Sequence, residues 1–287
     1  MQFRTIVSIP QVNFKISPFE TMLFVGSCFA DRIGRHFREE RFRTVINPSG
    51  VMYNPISIFH TVDRVLQDEA QSFKCAFLTL GTNHVYVLKE TGEVVDNCQK
   101  RPQRLFEERE LDIDDCLKHL RSAVELLRTR CADVRVVVTV SPIRYAKYGF
   151  HESALSKAVL LLAAEKLCRE YPECVNYFPA YEIINDELRD YRFYQPDMLH
   201  PSDQAVEYIW QRFTEVYLSQ EAKAFLGEWK PIKEALAHRP LHPESDEYAR
   251  FRRQTMEKLK ELVSRYPGMP IEEEWGLPGT DRQEVHQ

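Results

Sequence analysis

Short apolar runs alternate with amphipathic segments over the first three quarters of the chain. The apolar runs have the length of buried strands and cover residues 22–25, 44–46, 75–80, 134–140 and 175–178. Helical periodicity predicts helices over residues 28–41, 55–67, 112–130, 153–170 and 203–218. Residues 85–88 and 94–95 flank a turn with Gly92, which predicts a β-hairpin. Because strands alternate with helices, we predict a mostly parallel sheet with helices on both faces.

After residue 220 the pattern changes. Residues 227–247 are predicted to be broken, because glycine or proline stands at Gly227, Pro231, Pro240 and Pro243. Residues 246–265 carry one apolar stripe, which predicts an amphipathic helix docked on the core or on a partner. From Pro267 the chain is acidic, and we expect a mobile tail there. The expected organisation is an α/β domain over residues 1–220, then a helical extension with a flexible acidic tail over residues 221–287.

Composition excludes several classes of protein. The formal net charge is -5, so a dedicated nucleic-acid binder is not expected. The longest small or apolar run, residues 158–164, is far shorter than the roughly 20 residues of a membrane span. The seven cysteines contain no CxxC pair, which favours reduced thiols. Since the N-terminus also lacks a signal-peptide pattern, we expect a cytoplasmic protein without membrane contact.

The histidines show no metal-ligand spacing, and neither a P-loop nor a dinucleotide-binding fingerprint occurs in the sequence. We therefore expect no metal and no cofactor.

Ser27 lies where the first strand ends and the first helix begins. The unpaired amides of a helix N-terminus point at such a turn, so a hydroxyl there can attack an acyl carbon while the amides hold the oxyanion. The alternative is an N-cap serine, which is common. Cys28 beside it is either a reactive thiol or, more commonly, a small buried side chain.

A second candidate is the turn Asp197-Met198-Leu199-His200, which precedes a helix. A histidine base needs a carboxylate to fix its tautomer and to stabilise its charged form, and this spacing places both groups on one loop. The alternative is a surface turn in which Ser202 or Asp203 caps the helix that follows.

Two further strand ends carry oxyanion donors. Gly50 follows the second strand, and Gly81-Thr82-Asn83 follows the third. A glycine amide and an asparagine side chain can both donate to an oxyanion, although both residues are also ordinary turn formers. Because the carboxyl ends of parallel strands share one sheet edge, the order of these residues favours a site there.

Gly26-Ser27-Cys28-Phe29-Ala30 resembles the signature of the GSCFA family, a branch of the SGNH/GDSL hydrolase superfamily. The resemblance covers roughly residues 20–218. Four more stretches carry it: Asn47–Pro55, Thr139–Arg144, Tyr177–Glu182 and Leu188–Tyr194, the last leading into Asp197–His200. It implies a three-layer α/β/α, flavodoxin-like fold with a serine hydrolase site.

The resemblance also implies roles for individual residues. Ser27 matches the nucleophile, His200 the base and Asp197 its orienting carboxylate. The Ser27 amide, the Gly50 amide and the Asn83 side chain match the oxyanion hole. The sequence departs from the superfamily pattern at two points. The superfamily has a Gly-Asp-Ser triplet, but no acidic residue precedes Ser27 here. The superfamily's GxND block ends in aspartate, and His84 stands at that position.

Arg144, Arg192 and Tyr194 lie near the expected site in sequence and are candidates for binding an acidic or sugar substrate. The structural alternatives are ion pairs for the arginines and packing under the loop for the tyrosine.

Three functional hypotheses follow. The first is a serine ester hydrolase that removes an acetyl or other small acyl group, with an O-acetylated carbohydrate as the expected substrate class. The second is an O-acyltransferase that uses the same residues. The third is a degenerate member that binds a glycan or a protein without turnover. The helix at residues 246–265 leaves a homodimer and a cover over the site both open.

Overall fold

The computed structural model describes residues 4–271. Its strands are β1 (Thr21–Gly26), β2 (Arg43–Ile46), β3 (Cys75–Leu80), β4 (His84–Leu88), β5 (Val94–Val95), β6 (Phe106–Glu110), β7 (Arg135–Val140) and β8 (Val175–Tyr177). Its α-helices are α1 (Cys28–Glu39), α2 (Pro55–Leu66), α3 (Ile113–Arg130), α4 (Phe150–Glu170), α5 (Ala180–Glu182), α6 (Asp203–Tyr217), α7 (Gln220–Ala237) and α8 (Asp246–Arg265). A central parallel sheet has the strand order β2-β1-β3-β7-β8, and β5-β4-β6 form a separate antiparallel sheet.

Helices cover both faces of the parallel sheet. Along β1, Leu23 and Val25 are buried with residues of α2, α3 and α4. Met22 and Phe24 point the other way and are buried with residues of α1 and α6. This alternation follows from the two-residue period of a strand, and burial on both faces explains why the strand is apolar throughout. The predicted three-layer α/β/α fold is confirmed.

The predicted break over residues 227–247 is wrong in its first part, because α7 continues through Pro231 to Ala237. Proline inside a helix costs about 3 kcal/mol through a lost hydrogen bond and a steric clash. Burial of Phe225, Trp229 and Ile232 offsets that cost. Trp229 Nε1 also donates to the Glu39 carbonyl at 3.0 Å, which ties α7 to the end of α1.

The predicted helix over residues 246–265 is confirmed as α8, which packs on α7 through Leu259 and Leu262. The predicted acidic tail lies outside the described residues from position 272 onward. None of the helices within residues 4–271 is long and apolar enough to cross a membrane.

The parallel sheet determines where the strand ends lie. Gly26 pairs with Thr79, and Thr79 pairs with Thr139, so β1, β3 and β7 end side by side. The loops that leave these ends carry most of the residues singled out in the sequence.

Candidate active site

The turn between β1 and α1 is packed directly against β3. Gly26 has φ +138°, and a Cβ there would lie 2.2 Å from the Thr79 carbonyl oxygen. Only glycine fits, because both the conformation and the space exclude a side chain. The next amide, Ser27 N, donates to Thr79 Oγ1 at 2.9 Å. This close approach fixes the position at which α1 begins.

The Ser27 side chain faces inward and is 0% exposed. Its Oγ donates to Ser141 Oγ at 2.9 Å and lies 3.1 Å from Thr79 Oγ1. It also accepts from Phe29 N at 3.2 Å, as an N-cap serine does. Ser27 is therefore a helix cap that also belongs to a buried hydroxyl cluster joining the ends of β1, β3 and β7.

Asp197 and His200 form a hydrogen-bonded pair on the loop before α6. Asp197 Oδ2 lies 2.6 Å from His200 Nδ1, and Asp197 Oδ1 accepts from the amides of Leu199 (2.8 Å) and His200 (3.0 Å). These bonds lower the pKa of Asp197 to about 2, the two backbone amides being the largest causes. The carboxylate is thus ionised at neutral pH and orients the imidazole.

Two arginines hold this loop at the sheet edge. Arg32, in α1, donates to the Pro201 carbonyl and pairs with Asp203. Arg144, in the segment after β7, donates from its amide to Leu199 O and from Nη1 to Met198 O, both at 3.0 Å. The pair therefore sits between α1 and the end of β7. Within residues 4–271 no hydrogen bond joins Ser27 to His200, and His200 Nε2 has no partner.

The three predicted oxyanion donors all have acceptors inside the protein. Ser27 N is bonded to Thr79, as described above. Gly50 N donates to Asn47 O at 2.7 Å, at an exposed position. Asn83 Nδ2 donates to Leu111 O at 2.8 Å, and Asn83 is buried where β4 begins. The structure therefore does not gather these donors around one open position.

The predicted substrate-binding residues have structural partners. The Arg144 guanidinium lies 4.1 Å from the Phe150 ring centroid and 5.5 Å from that of Tyr194, in addition to its bond to the His200 loop. Arg192 is exposed and pairs with Asp190 at 3.4 Å. Arg144 thus supports the loop of the histidine, which is a positioning role.

Two buried polar groups at this edge, an amine and a phenol hydroxyl, belong to residues that were not among the candidates from the sequence. Lys157, in α4, donates to Gly81 O at 2.6 Å and to Ser141 O at 2.8 Å. Burial lowers its pKa to about 7, against a smaller opposite effect of Cys28. The hydroxyl of Tyr145 is buried, and among the described residues it has no hydrogen-bond partner. Lys157 could have been found from the sequence, because a lysine on the buried face of the helix predicted over residues 153–170 is unusual.

The sequence left Cys28 as either a reactive thiol or, more commonly, a small buried side chain, and in the structure this residue is half-buried.

An open groove lies in another part of the molecule, between α7 and α8. It has a volume of about 710 Å³, and its lining includes Trp229, Lys233 and Phe251. Neither Ser27 nor His200 is among the residues that line it.

Comparison with known protein families finds one that covers most of the α/β domain. The model described as "GSCFA family" matches residues 21–76 and 66–213, which is more than half of the chain. The chain belongs to the GSCFA family. A second model, "GSCFA domain protein, C-terminal domain", matches residues 229–276 of this GSCFA protein. No curated protein matches the chain.

Solved structures with similar folds include a catalytic mutant of an acetylxylan esterase from Geobacillus stearothermophilus, with 12% identity, TM-score 0.47, and coverage of 72% of this chain and 98% of that one. A GDSL-like lipase from Bacteroides thetaiotaomicron has 13% identity, TM-score 0.44, and coverage of 68% and 86%. A family 3 carbohydrate esterase from Talaromyces cellulolyticus has 10% identity, TM-score 0.39, and coverage of 68% and 95%.

Proposed function

We propose that this GSCFA protein is an esterase-type hydrolase that cleaves small acyl esters. The observation that carries the proposal is the 2.6 Å Asp197–His200 pair, held beside α1 by Arg32 and beside the end of β7 by Arg144. This arrangement suits acyl transfer. It places a base with a fixed tautomer at the carboxyl edge of a parallel sheet, close to a helix N-terminus.

Each part of this arrangement has a role in the proposed reaction. Asp197 orients His200, whose Nε2 accepts the proton of the nucleophile and then returns it to the leaving alkoxide. The nucleophile comes from the turn between β1 and α1, where Ser27 and Cys28 are the two candidates. The positive end of α1 stabilises the negative charge that develops on the acyl oxygen.

An O-acetylated carbohydrate is the substrate class that we propose. Exposed tyrosines border the edge: Tyr53 is 40% exposed next to Gly81, and Tyr191 is 66% exposed on the segment that leads to Asp197. Exposed aromatic rings beside a polar site suit the apolar faces of a sugar.

Hydrolysis of p-nitrophenyl acetate tests the proposal. We expect His200→Gln to lower kcat/KM by about 10³-fold or more, and Asp197→Asn to lower it by about 10²–10⁴-fold, because each loses the oriented base. His242→Gln is the matched control, since His242 is an exposed histidine on the loop between α7 and α8. Unchanged activity in His200→Gln, with the wild type active, would contradict the proposed role of the pair.

A further inference from the structure

The polar atoms of Ser27 already make hydrogen bonds within the protein. Its Oγ has three hydrogen-bonding neighbours, Thr79 Oγ1, Ser141 Oγ and Phe29 N, and its amide is bonded to Thr79. An attack by this oxygen would break its hydrogen bonds to the two other hydroxyls of the buried cluster, Thr79 Oγ1 and Ser141 Oγ. A side chain with no exposed surface also gives an ester no path to its oxygen.

Cys28, the first residue of α1, has the opposite environment. It is half-buried, and its backbone N–H faces its own sulfur; no other acceptor for that N–H is present in the described part of the chain. Cys28 and Arg32 are four residues apart and therefore share one face of α1. Because Arg32 binds Pro201 O, this is the face on which the His200 loop rests.

A second, independent observation is a buried hydroxyl that has no hydrogen-bond partner within residues 4–271. The Tyr145 hydroxyl lies against Gly81, since a Cβ on that glycine would come within 2.5 Å of it. Burial raises the pKa of Tyr145 well above its ordinary value, so the phenol keeps its proton and can donate. Its ring lies edge-on to that of Tyr53, with the ring centroids 5.8 Å apart. A buried donor without an acceptor is costly unless a ligand supplies one.

Lys157 keeps this arrangement in place. By bonding to the carbonyls of Gly81 and Ser141, it fixes the glycine that Tyr145 contacts and the serine that holds Ser27. The ends of β3 and β7 are therefore tied together beside the turn that leads into α1.

On these grounds, and resting on the proposed esterase function, we infer that the nucleophile is the thiol of Cys28, with the Cys28 amide and the Tyr145 hydroxyl as the donors for the acyl oxygen. Ser27 then serves as the cap and anchor of the turn.

The reaction proceeds by acyl transfer without redox change. His200 Nε2 takes the proton of Cys28 Sγ, and the sulfur forms a bond to the acyl carbon as the carbonyl electron pair moves onto oxygen. That pair returns, the C–O bond to the alcohol breaks, and the alkoxide takes the proton from His200. Water then gives a proton to His200 and attacks the thioester, which releases the acid and the thiolate, and His200 reprotonates the sulfur.

The charges around Cys28 explain why this thiol needs the histidine. Burial raises its pKa, and Asp31, three residues along α1, acts in the same direction, whereas Arg32 and Lys157 lower it. Because burial is the largest of these effects, the resting group is a thiol and not a preformed thiolate. We therefore expect alkylation of Cys28 by iodoacetamide to slow in His200→Gln.

The test is the chemistry of the trapped acyl-enzyme. The wild type is mixed with p-nitrophenyl acetate and quenched, and the acetylated peptide is located by mass spectrometry with and without neutral hydroxylamine. A thioester is cleaved by this reagent, whereas a serine ester resists it. We expect a hydroxylamine-sensitive acetyl group on Cys28. A resistant acetyl group on Ser27 would overturn the inference while leaving the esterase function intact.

Substitutions at Cys28 and Tyr145, each checked for correct folding, test the same inference. We expect Cys28→Ala to lower kcat/KM by about 10³-fold. Cys98→Ala, which removes another half-buried thiol, is the matched control and should retain wild-type activity. Tyr145→Phe should lower kcat/KM by about 10²-fold with no loss of thermal stability, because the hydroxyl makes no hydrogen bond to any described residue.

Each combination of results has a single consequence. If Cys28→Ala is folded and as active as the wild type, Cys28 is not the nucleophile, although the esterase function stands. If the wild type shows neither His200-dependent hydrolysis nor an acetyl adduct, the esterase function fails, and this inference fails with it.

Discussion

Lys157→Met tests how the strand ends beneath the site are held. Methionine keeps most of the volume of the buried lysine but removes the ammonium that bonds to Gly81 O and Ser141 O. Each lost hydrogen bond costs about 1 kcal/mol, and burying a charged amine also carries a penalty that methionine avoids. The sign of the net change therefore depends on whether Lys157 is charged.

The pH dependence of unfolding separates these two contributions. Burial lowers the pKa of Lys157 to about 7 in the folded protein, whereas an unfolded lysine has a pKa of about 10.4. Between these values the unfolded chain holds a proton that the folded protein has lost, so the free energy of unfolding increases with pH. The slope approaches about 1.4 kcal/mol per pH unit and is absent below pH 6, where both states are protonated.

The assay is urea unfolding of the wild type and Lys157→Met between pH 5 and pH 9. We expect the stability of the wild type relative to the variant to be constant below pH 6 and to rise by about 1 kcal/mol per unit above pH 7.5. Lys166→Met, at an exposed position of the same helix, controls for the loss of a lysine. The reasoning would be refuted if the difference in the free energy of unfolding between the wild type and Lys157→Met stayed constant up to pH 9. The folded lysine would then titrate as it does in water.

Three further predictions concern the supports of the site. Arg32→Ala should lower ester hydrolysis by about ten-fold or more with little change in Tm, because it frees the His200 loop; Asp203→Asn removes only the ion pair and should have a smaller kinetic effect. Trp229→Ala should lower the free energy of unfolding by about 3–5 kcal/mol, measured in urea, with unchanged kcat per folded molecule, since the side chain is fully buried away from the site; a loss of kcat in the folded variant would contradict this. Gly26→Ala should fail to give soluble, folded protein in an expression and circular-dichroism test, because its Cβ would overlap the Thr79 carbonyl; a folded variant of near-normal Tm would show that the turn can move.

The main elements of the α/β domain could be predicted because their burial leaves a periodic trace in the sequence. After Arg135, β7 is an unbroken β-branched run from Val136 to Val140, as expected for a central parallel strand covered on both faces. β6 could not be predicted, since its residues Phe106–Glu110 are mostly charged and only the pairing with β4 makes them a strand. α7 was missed for the opposite reason: Pro231 is a local helix breaker, and the burial of Trp229 against α1 outweighs it.

The sequence by itself determined the alternation of strands and helices, the turn at Gly26, and the spacing that lets Asp197 orient His200. These features depend on local periodicity, on backbone freedom and on contacts three residues apart. Only the tertiary structure decided that Ser27 faces the hydroxyls of Thr79 and Ser141, that Asn83 donates to Leu111, and that Lys157 joins two strand ends. The partners in these contacts are 16 to 114 residues apart, and their directions are set by packing between layers, which no local pattern along the chain records.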